Sequence, residues 1–163
     1  MNATRTLALA ALIFSLLTPV AHAEQLSTPA SILVGAYFPN SPDLRDGVAL
    51  LLATEYMANP YAGFELDWGG FSTSDNHDAS GTIEWFAACV KLAVPVAFVE
   101  SYVLGGVGID YKGVPGFPLH AAGGINFNFG LFQIGAEARQ VWLQGDGHDY
   151  DGLMIMTKLG YRF

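Results

Sequence analysis

The chain has 163 residues and a formal charge of -8; it is 52% hydrophobic, only 13% charged, and carries 19 glycines. An acidic balance disfavours nucleic acid as a partner, and a soluble domain usually carries about twice that charged fraction. With a single cysteine, Cys89, an internal disulfide is excluded, and the thiol reads as a small buried or wall-facing side chain.

The N-terminus has the order of a secretory leader. Arg5 precedes an apolar run from Leu7 to Leu17, Pro19 breaks it, and Ala21-His22-Ala23 offers small residues at the cleavage positions. The run is shorter than the roughly 20 apolar residues a spanning helix needs, so a cleaved signal peptide over 1–23 is expected rather than an anchor helix. The exported part, 24–163, is then one domain. None of it is apolar for long enough to cross a bilayer as a helix. Export, low charge and no spanning helix together suit a chain that faces lipid and closes its backbone on itself.

Alternating segments separated by polar, turn-rich stretches predict an all-β domain of eight antiparallel strands. In chain order these fall near Ser31–Phe38, Val48–Tyr56, Tyr61–Ser72, Thr82–Val94, Ala97–Tyr111, Leu119–Asn128, Leu131–Leu143 and Gly152–Phe163. The first two are the weakest, and within the second, over the continuous apolar run Leu50 to Ala53, periodicity alone does not exclude a helical turn. Tight connections at Ala58 to Tyr61, Ala93 to Val96 and Phe129-Gly130 alternate with longer polar ones at Pro39 to Gly47, Thr73 to Gly81, Lys112 to Pro118 and Gln144 to Gly152. Short turns at one end and long loops at the other describe an up-and-down transmembrane barrel.

Strand faces decide which way the barrel is dressed. Phe64, Leu66 and Trp68 oppose Glu65 and Asp67. Phe86, Ala88, Val90 and Leu92 oppose Trp85, Cys89 and Lys91. Val103 and Val107 oppose Glu100 and Tyr102, Ile134 and Ala138 oppose Glu137 and Arg139, and Leu159 and Tyr161 oppose Lys158 and Arg162. The apolar faces end in aromatics: Phe129, Phe132, Tyr161 and Phe163 toward the tight turns, and Trp68, Tyr111 and Trp142 toward the loops. Aromatic girdles at both ends favour an outward apolar face in lipid over a secreted soluble barrel with an apolar inside. The expected lumen sets Glu65, Asp67, Glu100 and Glu137 against Lys91, Arg139, Lys158 and Arg162, with Asn126 opposite Gln133, Glu137 near Lys158 and Lys91 near Glu100. An eight-stranded barrel is just wide enough for side chains to fill it, and buried charges need partners. A plug of ion pairs is therefore expected in preference to a narrow ion path. His120 is expected to face inward near Arg139 as a hydrogen-bonded lumen residue.

The C-terminal residues Leu159-Gly160-Tyr161-Arg162-Phe163 resemble the terminal signal of bacterial outer-membrane barrels. In size and pattern the exported chain resembles the small eight-stranded group that includes outer-membrane protein X and the OmpA barrel. The resemblance implies recognition of Leu159, Tyr161 and Phe163 by the barrel-assembly machinery and residence in the outer membrane among lipid and lipopolysaccharide; with no peptidoglycan-binding domain after the barrel in this sequence, a wall anchor of the OmpA type is not expected.

The long loops hold the remaining chemistry. Asp75, His77, Asp78 and Ser80 in one, and Asp146, His148, Asp149 and Asp151 in another, contain the residue types of acyl transfer. There is no GxSxG elbow, and such residues also compose ordinary solvated loops. With Asp43 and Asp46, these aspartates suit weak calcium or magnesium binding, but their spacing matches no dedicated cage. No cofactor is expected. The reading is a non-enzymatic outer-membrane barrel with a structural or surface-interaction role; the alternatives are a lipid A-modifying enzyme and a small channel.

Overall fold

The computed structural model describes residues 28–74, 80–112, 116–145 and 148–163; the leader expected over 1–23 lies outside them. The strands are β1 (Pro29–Pro39), β2 (Gly47–Asn59), β3 (Ala62–Ser74), β4 (Ser80–Val96), β5 (Val99–Lys112), β6 (Leu119–Phe129), β7 (Phe132–Trp142), the two-residue β8 (Gln144–Gly145) and β9 (His148–Asp149), and β10 (Gly152–Arg162). All but β8 and β9 form one closed barrel in the order β1-β10-β7-β6-β5-β4-β3-β2. Every neighbouring pair is antiparallel, including β1 with β10, which closes the ring. No edge is left unpaired, so the backbone satisfies itself without water. β8 and β9 form a separate short ribbon within the last loop.

The alternation read from the sequence places the side chains. Glu65, Asp67, Lys91, Arg139 and Lys158 are fully buried, while Ile32, Leu50, Phe64, Val90, Val103, Ile134 and Leu159 stand exposed on the outside. In water this distribution would forfeit about 1.5–3 kcal/mol for each large apolar side chain left outside. Against hydrocarbon it costs nothing, and the outer wall is a lipid-facing surface.

The strand ends differ from expectation in instructive ways. Leu50 to Ala53 is extended, not helical: Leu50 and Leu52 point outward, Leu51 and Ala53 inward. The turns fall at Pro60-Tyr61, Ala97-Phe98 and Gly130-Leu131. Consequently Gln133 pairs with Asn128 rather than Asn126, and Glu137 with Gly124. Lys158 pairs with Gly135, and Glu137 with Met156. These are shifts by an even number of residues, so every side chain keeps its face. The expected turn at Ala93 to Val96 is instead the end of the 17-residue β4, and Pro95 pairs with Glu100. Proline is accommodated because β3 has already ended. The Ala93 amide points toward β3, reaching the Tyr61 carbonyl at 2.8 Å, and Pro95 presents its N–H-less nitrogen two residues further on that side.

Candidate functional site: the lumen and its two halves

The interior divides along the barrel axis. Toward the loops it is apolar: Leu33, Leu51, Phe71, Trp85, Met154 and Met156 belong to one buried cluster with Tyr37 and Val141. The Tyr37 ring stacks on Phe71 at 3.7 Å between centroids, and Phe71 meets Trp85 edge-on at 5.7 Å. The last loop covers this cluster. The Tyr37 hydroxyl donates to the Tyr150 carbonyl at 2.7 Å, and the Leu143 amide donates to Asp151 Oδ1 at 2.8 Å.

From the middle toward the tight turns the interior is charged. Arg139 on β7 reaches across to β3, donating through Nη2 to Glu65 at 2.8 Å and through Nη1 to Asp67; its Nε donates to Glu137 at 2.7 Å. Lys158 on β10 donates to Glu55 at 2.5 Å and Glu65 at 3.2 Å. Lys91 on β4 donates to Glu55 and, at 2.8 Å, to Glu100. The Tyr102 hydroxyl donates to Glu137 at 2.6 Å, and its ring lies 4.4 Å from Lys91 Nζ and 5.2 Å from Lys158 Nζ. Asn126 donates to Glu100 at 2.9 Å. Each buried lysine or arginine thus meets more than one acceptor, as charges withdrawn from water require.

Two placements depart from the sequence reading. Arg162 is only half-buried at the turn end and donates to Asn128 Oδ1 at 2.7 Å, and among the described residues it forms no salt bridge with a carboxylate. Glu55, absent from the expected set, is buried and joins Lys91 to Lys158. Its signal was hidden because β2 is apolar on both faces at its loop end, where the lumen itself is apolar. His120 does face inward, its ring 5.1 Å from Trp85, but neither ring nitrogen has a hydrogen-bond partner among the described residues.

The outer features fall at the two ends. Trp68 and Trp142 are exposed toward the loops, and Phe129 and Phe132 toward the turns; the side chain of Tyr111 lies outside the described residues. Leu159, Tyr161 and Phe163 share the outward face of the last strand and its end, with Tyr161 packed edge-on to Phe132 at 5.5 Å and to Phe163 at 5.2 Å. Of the loop candidates, Asp75, His77, Asp78 and Asp146 lie outside the described residues, as do the side chains of Ser80, His148 and Asp149. Among the described residues no cluster of histidine, cysteine and carboxylate side chains is arranged to hold a metal ion.

A closed antiparallel barrel with a charged inside, an apolar outside and aromatic rings at both ends is an integral membrane barrel of the bacterial outer-membrane type. Its fold is similar to that of the Yersinia pestis outer membrane protein Ail in a phospholipid bilayer nanodisc, with a TM-score of 0.51, 16% identity, and coverage of 85% of this chain and 100% of that one. It is likewise similar to the crystal structure of the outer membrane protein OprG from Pseudomonas aeruginosa, with a TM-score of 0.52, 13% identity, and coverage of 85% and 97%. No protein-family model matches the chain. No curated protein matches it in sequence.

Proposed function

We propose that this chain is a non-enzymatic barrel of the bacterial outer membrane, with a sealed lumen and a structural or surface-interaction role carried by its long loops. The tight turns then face the periplasm and the loops the outside. The observation that carries the reading is the filling of the lumen along its length, apolar toward the loops and ion-paired below. An ion entering from outside would have to pass the Tyr37, Phe71 and Trp85 rings before reaching the buried ion pairs. Leu159, Tyr161 and Phe163 are the positions proposed to be read by the assembly machinery, since all three are exposed on one face.

The test is expression of the full chain followed by membrane fractionation, gel mobility with and without boiling, and planar-bilayer recording of the purified barrel. The expected result is an outer-membrane protein with heat-modifiable mobility and no single-channel steps. Regular steps that change on neutralising Glu137 or Lys158 would replace this reading with a channel. A lipid A pattern altered by expression, and restored by mutating His77, Ser80 or His148, would replace it with an enzyme.

A further inference from the structure

The charged half of the lumen holds one contact that a plug of ion pairs does not require. Glu100 Oε1 accepts from Lys91 Nζ at 2.8 Å and, on the same oxygen, from Asn126 Nδ2 at 2.9 Å. One carboxylate oxygen thus brings a primary amine beside a carboxamide. Register explains the meeting. Asn126 on β6 stands directly opposite Glu100 on β5, and the Lys91 side chain reaches them from β4 over the Tyr102 ring. All three are buried, Lys91 and Asn126 completely. Asn126 is held by its nitrogen on Glu100, while its Oδ1 has no hydrogen-bond partner among the described residues. A buried acceptor left open in this way calls for an explanation.

An amine, a carboxamide and a carboxyl in a sealed interior are the reactants of an amide exchange. In water the exchange is negligible, because an ammonium has no lone pair and the two groups meet only by chance. Both obstacles are lowered here. To become an amide nitrogen, Nζ must shed two protons, and it touches two carboxylates, Glu55 and Glu100. Among the described residues the buried carboxyls outnumber the buried lysine and arginine side chains by five to three, so a proton kept by one carboxyl relieves a surplus of negative charge. Contact through a shared oxygen replaces the chance encounter. The filled lumen keeps out the water that would compete with the amine.

We propose that Lys91 and Asn126 become joined by an intramolecular isopeptide bond, with Glu100 as the proton relay. Glu55 takes the first proton from the ammonium and keeps it. The Nζ lone pair forms a bond to Cγ of Asn126. Glu100 takes the second proton from Nζ and passes it to Nδ2, the Cγ–Nδ2 bond breaks, and ammonia leaves. Nothing is oxidised or reduced, and Glu100 ends as it began. Glu100 is the most exposed of the buried carboxyls, at 8%, and lies at the tight-turn end, where the ammonia has its way out. The new bond ties β4 to β6 across β5. The inference needs the closed barrel and its dry interior, and does not depend on the role proposed for the loops.

The experiment is intact-mass spectrometry of the full chain before and after refolding in detergent, followed by tryptic mapping of the refolded form. The refolded chain is expected to be lighter by one ammonia than the same chain in urea, with the peptides that contain Lys91 and Asn126 joined and no cleavage after Lys91. Lys91→Arg and Asn126→Ala keep the full mass. Glu100→Gln slows the loss by about a hundredfold, the lower end of what a positioned acid–base group supplies. Heat-modifiable mobility identifies the variants that have folded, and only these are compared. An unchanged mass in the folded parent overturns the proposal. So does a loss of ammonia with the two peptides separate, which is cyclisation at an asparagine, and so does a loss in folded Lys91→Arg. Loss at the parental rate in folded Glu100→Gln overturns the relay.

Discussion

Lys158 Nζ lies 2.5 Å from Glu55 Oε1, two side chains 103 residues apart in sequence and both sealed from solvent. Glu55 also accepts from Lys91, so this carboxylate is shared between two buried ammonium groups. Removing it strands both. Glu55→Ala is expected to destabilise the barrel by about 3 kcal/mol, the lower end for breaking a buried pair, with Glu55→Gln costing less because it keeps an acceptor. Urea unfolding in lipid vesicles, followed by tryptophan fluorescence, measures both. An Ala variant as stable as the parent would show that Glu65 and Glu100 alone suffice for the lysines.

Arg139 should be harder to replace than either lysine. Its guanidinium serves Glu65, Asp67 and Glu137 through different nitrogens in one planar fork. A lysine supplies a point charge without that geometry. Arg139→Lys is therefore expected to lower the temperature at which the folded gel form is lost, and Arg139→Ala to lower it further. If Lys restores parental behaviour, charge alone matters there and the fork does not.

The Tyr102 ring occupies space that a side chain at Gly124 would need. A Cβ there would approach Tyr102 Cζ and its hydroxyl at 2.5 Å and the Ala136 carbonyl oxygen at 2.7 Å. Gly124→Ala is expected to cost about 1–3 kcal/mol through overpacking and to disturb the Tyr102–Glu137 bond. Adding Tyr102→Ala removes one of the two clashes, so the double variant is expected to be less unstable than the sum of the singles. Strict additivity in that cycle would place the strain in the backbone alone.

Cys89 is buried with its thiol 3.7 Å from Asp67 Oδ2. Only the thiolate reacts readily, and reaction also needs access. A membrane-impermeant maleimide is expected to leave the folded protein unlabelled and to label it fully in urea. Labelling of the folded form would mean that reagents enter the lumen and the seal is incomplete.

The turn between β4 and β5 holds its own strain. Ala97 has a φ of +55°, in the left-handed region. Ala97→Gly is expected to stabilise the barrel by up to about 1 kcal/mol, again measured by urea unfolding; a destabilised variant would indicate that the Ala97 methyl makes contacts worth more than the strain.

Strand faces were legible because period two survives an error in register. The hairpin expected at Phe129-Gly130 lies one residue later, at Gly130-Leu131, which moves the pairing of Gln133 by two residues and leaves it in the lumen. The turn expected at Ala93 to Val96 lies further on because β4 continues through Pro95, which needs no ladder partner where β3 no longer runs beside it. The apolar outer half of the lumen was illegible for a deeper reason. Alternation marks a boundary between two media, and where Leu51 faces an apolar interior and Leu50 faces lipid, the two sides of the strand demand the same chemistry. Glu55 was lost with them, being the residue at which β2 crosses from that region into the charged one.

Hydrogen bonds between neighbouring strands make a hoop, and a hoop alone is easily squashed to an oval. In the ring order, β3 and β7 lie on opposite sides, and Arg139 ties one to the other through Glu65 and Asp67. Such a diameter works as a spoke. It lets the wall bear the sideways pressure of the surrounding lipid without flattening.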